Sequence, residues 1–145
     1  MNIWNILDGF NKYEKWGDPA QMNGMVILLL DAIRKQFRRI DMAARFIIHA
    51  GYATSGHSPN SQHYVGNAVD FHIDTKVKYS LQVHDMLGIL RGLQVHDRVG
   101  LGIYPDWANP GFHLDVRGSR ARWGRIGGEY KGFEETLIYA ENKDW

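Results

Sequence analysis

The chain has 145 residues and a formal net charge of +1, and its length suits one compact domain. Hydrophobic residues make up 44% and charged residues 23%, which is typical of a globular protein and not of a disordered or strongly basic nucleic-acid-binding chain. The absence of cysteine excludes disulfide scaffolds, thiolate zinc sites and cysteine nucleophiles. Metal sites built from histidine and aspartate remain open.

The start of the chain does not resemble a secretory leader, because the first ten residues include Asp8 and lack both a basic segment and an apolar core. The longest apolar run, residues 25–30, is far shorter than the roughly 20 residues that span a bilayer. We therefore expect synthesis in the cytoplasm without a signal peptide, and no membrane insertion. We divide the chain into an N-terminal arm (residues 1–17), a main domain (18–132) and a C-terminal helix or tail packed on it (133–145).

The first half of the chain predicts one helix and two strands. The helix is expected to begin at Asp18 as N-cap, with Pro19 in its first turn, and to end at Phe37. A short buried strand follows over residues 45–49, and then a polar loop rich in turn-forming residues. Alternation of apolar and polar residues over 69–73 predicts a strand with Asp70 and His72 on one face.

The second half continues with strands and two more helices. Two glycines in the first of its strands predict a close approach of another chain segment to the backbone. A helix followed by strands that are mostly joined by short loops predicts an α+β domain with an antiparallel sheet. The predicted elements are a helix over 80–93, strands over 99–104 and 112–116, a turn over 106–110, a glycine- and arginine-rich stretch over 117–132, and a terminal helix over 133–142.

Two segments place metal-binding side chains at strand edges. His63 ends the polar loop, Gly66 lets the backbone turn back, and Asp70 points from the following strand, so the side chains of His63 and Asp70 can converge. His113 and Asp115 share a face of a later strand. One imidazole from that pair completes a His/Asp/His set. Three such ligands, with a fourth position left for water, are typical of a catalytic zinc site.

The run SQHYVGNAVD, residues 61–70, resembles the Ser-x-His-x-x-Gly-x-Ala-x-Asp motif of the zinc D-alanyl-D-alanine carboxypeptidases and related peptidoglycan endopeptidases. His113 and Asp115 resemble the later His-x-Asp of that family. The sequences GLGIYP, FHLDVRG and ARW resemble a subgroup found in phage lysins and small cell-wall peptidases. The resemblance covers residues 11–124. It implies a small α+β domain of the hedgehog and D-Ala-D-Ala metallopeptidase type, with helices on one side of an antiparallel sheet and a zinc cleft.

The same resemblance implies roles for individual residues. His63, Asp70 and His113 look like the zinc ligands. Ser61 looks like the motif serine beside the substrate. Asp115 looks like an outer carboxylate, which orients a histidine ligand and fixes its tautomer.

Two features of the family are missing. Ala53 stands where relatives often carry an arginine that binds the substrate, and Pro110 stands where many carry an acidic general base. The base is then expected among Asp115, Asp106 and His57, within hydrogen-bond reach of the reacting water. The candidates to replace the arginine are Arg117, Arg120 and Arg122.

Several other residues have two interpretations. Tyr52, Tyr104 and Trp107 either line the cleft to contact substrate or belong to the core. His72 shares a face with Asp70 and is expected in an outer or solvent-facing position, not as a ligand.

Together these features predict a monomeric zinc metallopeptidase that hydrolyses a bond in the stem or cross-link peptides of peptidoglycan. The resemblance implies a bond flanked by a D-residue, such as L-Ala-D-Glu or D-Ala-D-Ala. Action on the wall without a leader fits a phage or prophage endolysin released through a membrane lesion, and equally a chain that has lost its leader. The alternative is a non-catalytic, zinc-containing module that binds the cell wall. A third hypothesis is a nucleic-acid binder that uses the arginine-rich stretch.

Overall fold

The computed structural model of the protein describes residues 2–144. Residues 1 and 145, the outer ends of the predicted N-terminal arm and C-terminal tail, lie outside this range. Short 3-10 helices at Ile3–Asn5, Pro19–Gln21 and Gln62–Val65 accompany the longer elements. In chain order these are α1 (Gly24–Phe37), β1 (Arg45–Ala50), β2 (Ala68–Asp74), α2 (Tyr79–Gly92), β3 (Gly100–Tyr104), β4 (Gly111–Asp115), β5 (Ala121–Ile126), β6 (Glu129–Lys131) and α3 (Phe133–Lys143).

The six strands form one mixed sheet in the order β1-β2-β4-β3-β5-β6. Every neighbouring pair is antiparallel except β3 and β5, which are parallel. The α+β class is therefore confirmed, whereas the expected all-antiparallel sheet is wrong. The parallel pair arises because the chain leaves β4, passes the end of β3 and forms β5 on the far side of β3, so that β5 runs in the same direction as β3.

The first helix begins later than the sequence predicts. Asp18 does cap a helix, since its side chain accepts a hydrogen bond from the Ala20 N–H, but that helix is the 3-10 turn Pro19–Gln21. The backbone is then extended at Met22, and α1 begins after Asn23, whose side chain accepts from the Met25 N–H. Two capping signals follow each other closely here, and only the second begins the α-helix.

The glycine- and arginine-rich stretch contains two strands that the sequence analysis did not predict. It folds into β5 and β6, joined by a tight turn at Gly127 and Gly128, where both residues have positive φ. Four of the six residues of β5 are half-buried, Gly124 is buried and Arg125 is exposed, and its sequence lacks the apolar alternation that identified the other strands.

One face of the sheet packs against the helices. Phe46, Phe71 and Phe112 from β1, β2 and β4 join a single core with helix residues such as Leu30 of α1 and Met86 of α2. The polar residues that alternate with them along β2 and β4 point to the opposite face. Phe10 and Trp16, which precede α1, are buried in the same core.

No helix within residues 2–144 combines the length and apolar character needed to cross a bilayer.

Candidate metal centre

The register of the sheet places the key residues side by side. Asp70 of β2 pairs with His113 of β4, which in turn pairs with Gly102 of β3. A Cβ on Gly102 would lie 2.6 Å from the Trp123 indole nitrogen, so the glycine lets this indole pack over the strand, as the sequence predicts. The Trp123 ring then lies 5.0 Å from that of His113, between centroids.

A short helix brings His63 to the same place. Ser61 caps the 3-10 helix Gln62–Val65 by accepting a hydrogen bond from the His63 N–H. Gly66 ends this helix in the left-handed region, with φ of 73°, and the chain then enters β2. His63 is thereby buried, and its Nε2 lies 3.1 Å from Asp70 Oδ1.

Asp70 Oδ1 contacts two imidazoles, because His113 Nδ1 lies 3.0 Å from the same oxygen. In each ring, the nitrogen farther from Asp70 faces an oxygen that can only accept hydrogen bonds. His63 Nδ1 lies 2.7 Å from the Gly51 carbonyl, and His113 Nε2 lies 2.7 Å from an Asp115 carboxylate oxygen. A neutral ring can therefore carry its proton on the nitrogen farther from Asp70, which leaves a lone pair on the nearer nitrogen.

In that tautomer the nearer nitrogens of His63 and His113 direct lone pairs at Asp70 Oδ1. Either both rings carry a second proton or a cation lies among the three atoms. Ligand atoms about 2.0–2.1 Å from a tetrahedral zinc ion are about 3.3 Å apart. The two ring nitrogens lie 3.1 and 3.0 Å from Asp70 Oδ1, which is close to that spacing.

The electrostatics of Asp70 agree with a cation-binding role. Burial raises the pKa of Asp70, but hydrogen bonds and charge interactions with His113 and His63 outweigh this effect and hold the pKa well below its usual range. Asp70 is therefore ionised and available as an anionic donor across the neutral pH range.

Asp115 fixes the orientation of the His113 ring on the side away from Asp70. Its side chain is fully buried, and Arg117 forms a fork on both of its oxygens, with Nε at 2.8 Å and Nη2 at 2.7 Å. The Gly100 N–H donates to the same carboxylate at 3.3 Å. Burial alone would raise the pKa of Asp115, but Arg117 and His113 lower it, so Asp115 stays charged and fixes the ring of His113.

His57 completes a group of possible metal donors with His63 and Asp70, and the predicted ligand His113 contacts this group through Asp70 Oδ1. The ligand atoms of His57, His63 and Asp70 all lie within 4.8 Å of one another, so this group could hold a metal ion. The ring of His57 stacks on that of His63 with centroids 4.0 Å apart and planes 16° apart. From the sequence, His57 is expected only as a candidate base. Its placement in a glycine- and serine-flanked loop gave no signal that it would contact a ligand.

The cluster opens into a cleft of about 980 Å³. Ser61 and Arg117, which the sequence proposes as substrate contacts, line this cleft. Of the three aromatic residues with two interpretations, Tyr104 and Trp107 line it, whereas Tyr52 packs against the core and does not. The full lining comprises residues 56–63, Asp70, Tyr104, Trp107, His113, Arg117, Trp123, Arg125 and Tyr130.

Asp106 forms its hydrogen bonds outside the cleft. Its carboxylate accepts hydrogen bonds from the Tyr139 hydroxyl, the Lys143 ammonium and the Gly127 N–H, at 2.7, 2.9 and 2.8 Å. These partners tie α3 and the β5–β6 turn to the end of β3. Asp106 therefore has a structural role, and it does not line the cleft.

The arginines after β4 differ in their environments. Arg117 is bound to Asp115, and Arg122 donates to the backbone carbonyls of Val99, Ala121 and His96. Arg120 does not line the cleft, but Arg125 does, where its guanidinium lies over the Tyr130 ring at 5.2 Å. The sequence includes Arg125 in its arginine-rich stretch but gives no sign that it lines the cleft, because it faces the cleft only as part of β5, which was not predicted.

His72 lies beside His49 and not among the metal donors. Its Nδ1 is 2.5 Å from His49 Nε2, and the two rings stack with centroids 4.8 Å apart. This pair lies on the same side of the sheet as Asp70 but makes no hydrogen bond to it.

Comparison with known proteins adds no family assignment. No protein-family model, curated protein or solved structure matches the chain. The chemistry of the site therefore has to follow from its own side chains.

Proposed function

We propose that this protein is a zinc-dependent peptidase that hydrolyses peptide bonds in the stem or cross-link peptides of bacterial peptidoglycan. The proposal depends chiefly on one observation: ring nitrogens of His63 and His113 lie 3.1 and 3.0 Å from one Asp70 carboxylate oxygen in the wall of an open cleft. Nitrogen and carboxylate donors without thiolates are typical of catalytic zinc sites.

His63, Asp70 and His113 would hold the ion. A zinc ion at such a site polarises a carbonyl oxygen and generates a nucleophile from water near neutral pH. The Gly51 carbonyl and Asp115 hold the two imidazoles in the tautomer that this requires.

The cleft suits an anionic peptide. Its volume of about 980 Å³ lies at the upper end of ordinary ligand sites, which span about 300–1,000 Å³. Aromatic rings of Tyr104, Trp107 and Trp123 supply apolar contact, and the Arg125 guanidinium supplies positive charge. Peptidoglycan stem peptides carry free carboxylates, which such a cation can bind.

His57 is the best-placed candidate to move protons. Of the three residues predicted as the general base, Asp115 already accepts hydrogen bonds from His113 and Arg117, and Asp106 does not line the cleft. Burial lowers the pKa of His57, as does the neighbouring His63, so its imidazole is neutral and able to accept a proton at neutral pH.

The test is digestion of purified peptidoglycan by zinc-loaded protein, by chelator-treated protein and by an Asp70→Ala variant. We expect new amino groups and defined fragments, identified by mass spectrometry, only from the zinc-loaded wild type. His84→Gln serves as the matched control, because His84 is an exposed histidine of α2 outside the cleft. Equal release after chelation or in Asp70→Ala would contradict the proposal.

A second candidate function is a metal-containing module that binds the wall without cutting it. Within residues 2–144, Asp70 is the only carboxylate that lines the cleft, so an acidic general base is absent there. Tight binding of the zinc-loaded protein to peptidoglycan, with no release of amino groups, would favour this alternative.

A further inference from the structure

The loop before His63 places a fourth donor at the metal centre. His57 lies with His63 and Asp70 in a group whose ligand atoms are within 4.8 Å of one another. His113 Nδ1 lies 3.0 Å from Asp70 Oδ1, the oxygen that His63 also contacts. The centre therefore offers three imidazoles and one carboxylate, one donor more than a catalytic zinc site needs.

Tyr64 holds His57 in place through the backbone. Its hydroxyl donates to the His57 carbonyl at 2.7 Å and accepts from the His57 N–H at 2.9 Å. Tyr64 directly follows His63 in the same 3-10 helix. One phenol thereby fixes the position of His57 relative to a metal ligand, although the two histidines belong to different segments.

The imidazole of His57 is held by ring stacking on His63. Within residues 2–144 it makes no hydrogen bond, and its loop neighbours Gly56, Ser58 and Pro59 are exposed. The loop has one further link across the cleft, between the Ser58 and Tyr130 hydroxyls at 3.2 Å. By contrast, His63 is only 1% exposed and is fixed through both ring nitrogens.

We infer that His57 is a displaceable fourth protein ligand of the metal ion, positioned by the Tyr64 hydroxyl, and that it closes the site until an incoming ligand replaces it. The inference shares with the proposed function only the bound metal, and it does not require hydrolysis. In this arrangement His57 is first a metal ligand and then a proton acceptor, because the lone pair of an imidazole that leaves the ion is free to accept a proton.

The test is metal affinity and cobalt spectroscopy of the full chain. Zinc affinity is measured by competition with a chromophoric chelator for wild type, His57→Gln, Tyr64→Phe and the control His84→Gln. We expect His57→Gln to bind zinc at least about tenfold more weakly, in line with the known cost of disturbing ligand shells. Tyr64→Phe should fall between His57→Gln and wild type, and His84→Gln should match wild type.

Cobalt(II) in place of zinc reports coordination directly. We expect the visible absorption of the cobalt protein to change in position and intensity in His57→Gln, and to stay unchanged in His84→Gln. Wild-type affinity together with an unchanged cobalt spectrum in His57→Gln would overturn the inference, as would a wild-type protein that binds neither ion. A negative peptidoglycan assay alone would contradict the proposed function but would leave this inference standing.

Discussion

Asp115 accepts a hydrogen bond from the Nε2–H of His113 at 2.7 Å, so the other ring nitrogen of His113 is directed at Asp70. The two residues lie on the same face of β4, with one residue between them. This contact links the fully buried, arginine-bound carboxylate to the metal centre, and it sets which imidazole nitrogen is available as a donor.

Asp115→Asn should weaken zinc binding by about 10–100-fold while leaving the fold intact. The amide can present either an oxygen or an N–H group to His113, so the tautomer is no longer fixed. Chelator competition measures the affinity, and circular dichroism checks the fold. Arg117→Gln is the comparison, because Asp115 then keeps His113 and the Gly100 N–H, and a smaller loss is expected. Unchanged affinity in Asp115→Asn would show that this carboxylate does not orient the ligand.

Removal of the metal should lower the stability of the wild-type protein. A ligand that binds only the folded state at 100 times its Kd adds about 2.7 kcal/mol to the free energy of unfolding. Urea unfolding with excess zinc and with chelator measures this difference. In Asp70→Ala the difference should disappear, and in His84→Gln it should persist. A zinc-independent wild type would argue against a metal centre at Asp70.

Asp106 should contribute to stability in a pH-dependent way. Burial raises its pKa, but hydrogen bonds from Tyr139, Lys143 and the Gly127 N–H outweigh this, so the folded pKa is lowered. The contribution is therefore present above the unfolded value, near 3.8, and is lost as the pH falls through the folded value. Asp106→Asn should cost about 1 kcal/mol at pH 7. The difference in the free energy of unfolding between the variant and wild type, measured by urea unfolding, should become smaller near pH 2. A difference that does not depend on pH would contradict this assignment.

Gly66→Ala should destabilise the protein by about 2–3 kcal/mol, because a positive φ is costly for alanine and the backbone is crowded here. Its φ is 73°, and a Cβ there would lie 2.0 Å from the Gln21 carbonyl oxygen. Gly127→Ala is the matched control, since Gly127 has φ of 57° but open space around a Cβ. We expect it to cost only about 1 kcal/mol. Equal losses in urea unfolding would mean that the contact with Gln21 is unimportant.

Local sequence determined the parts of the site that depend on neighbouring residues. Alternation along β2 and β4 places Asp70, His113 and Asp115 on one face, because side chains of a strand alternate whatever their partners. The left-handed turn at Gly66 follows equally from residue type, since glycine adopts positive φ at little cost. The prediction that His63, Asp70 and His113 share a site depended on these local rules together with the resemblance.

Tertiary structure alone decided the rest. The pairing of β3 with β5 depends on which strands lie next to each other, and no local pattern encodes it. Arg125 lines the cleft because of that pairing. His57 lies beside His63 because the loop that contains it folds back and forms two hydrogen bonds with the Tyr64 hydroxyl. Strand alternation and turn formation are set within a few residues, whereas these contacts form only when separate segments pack against one another.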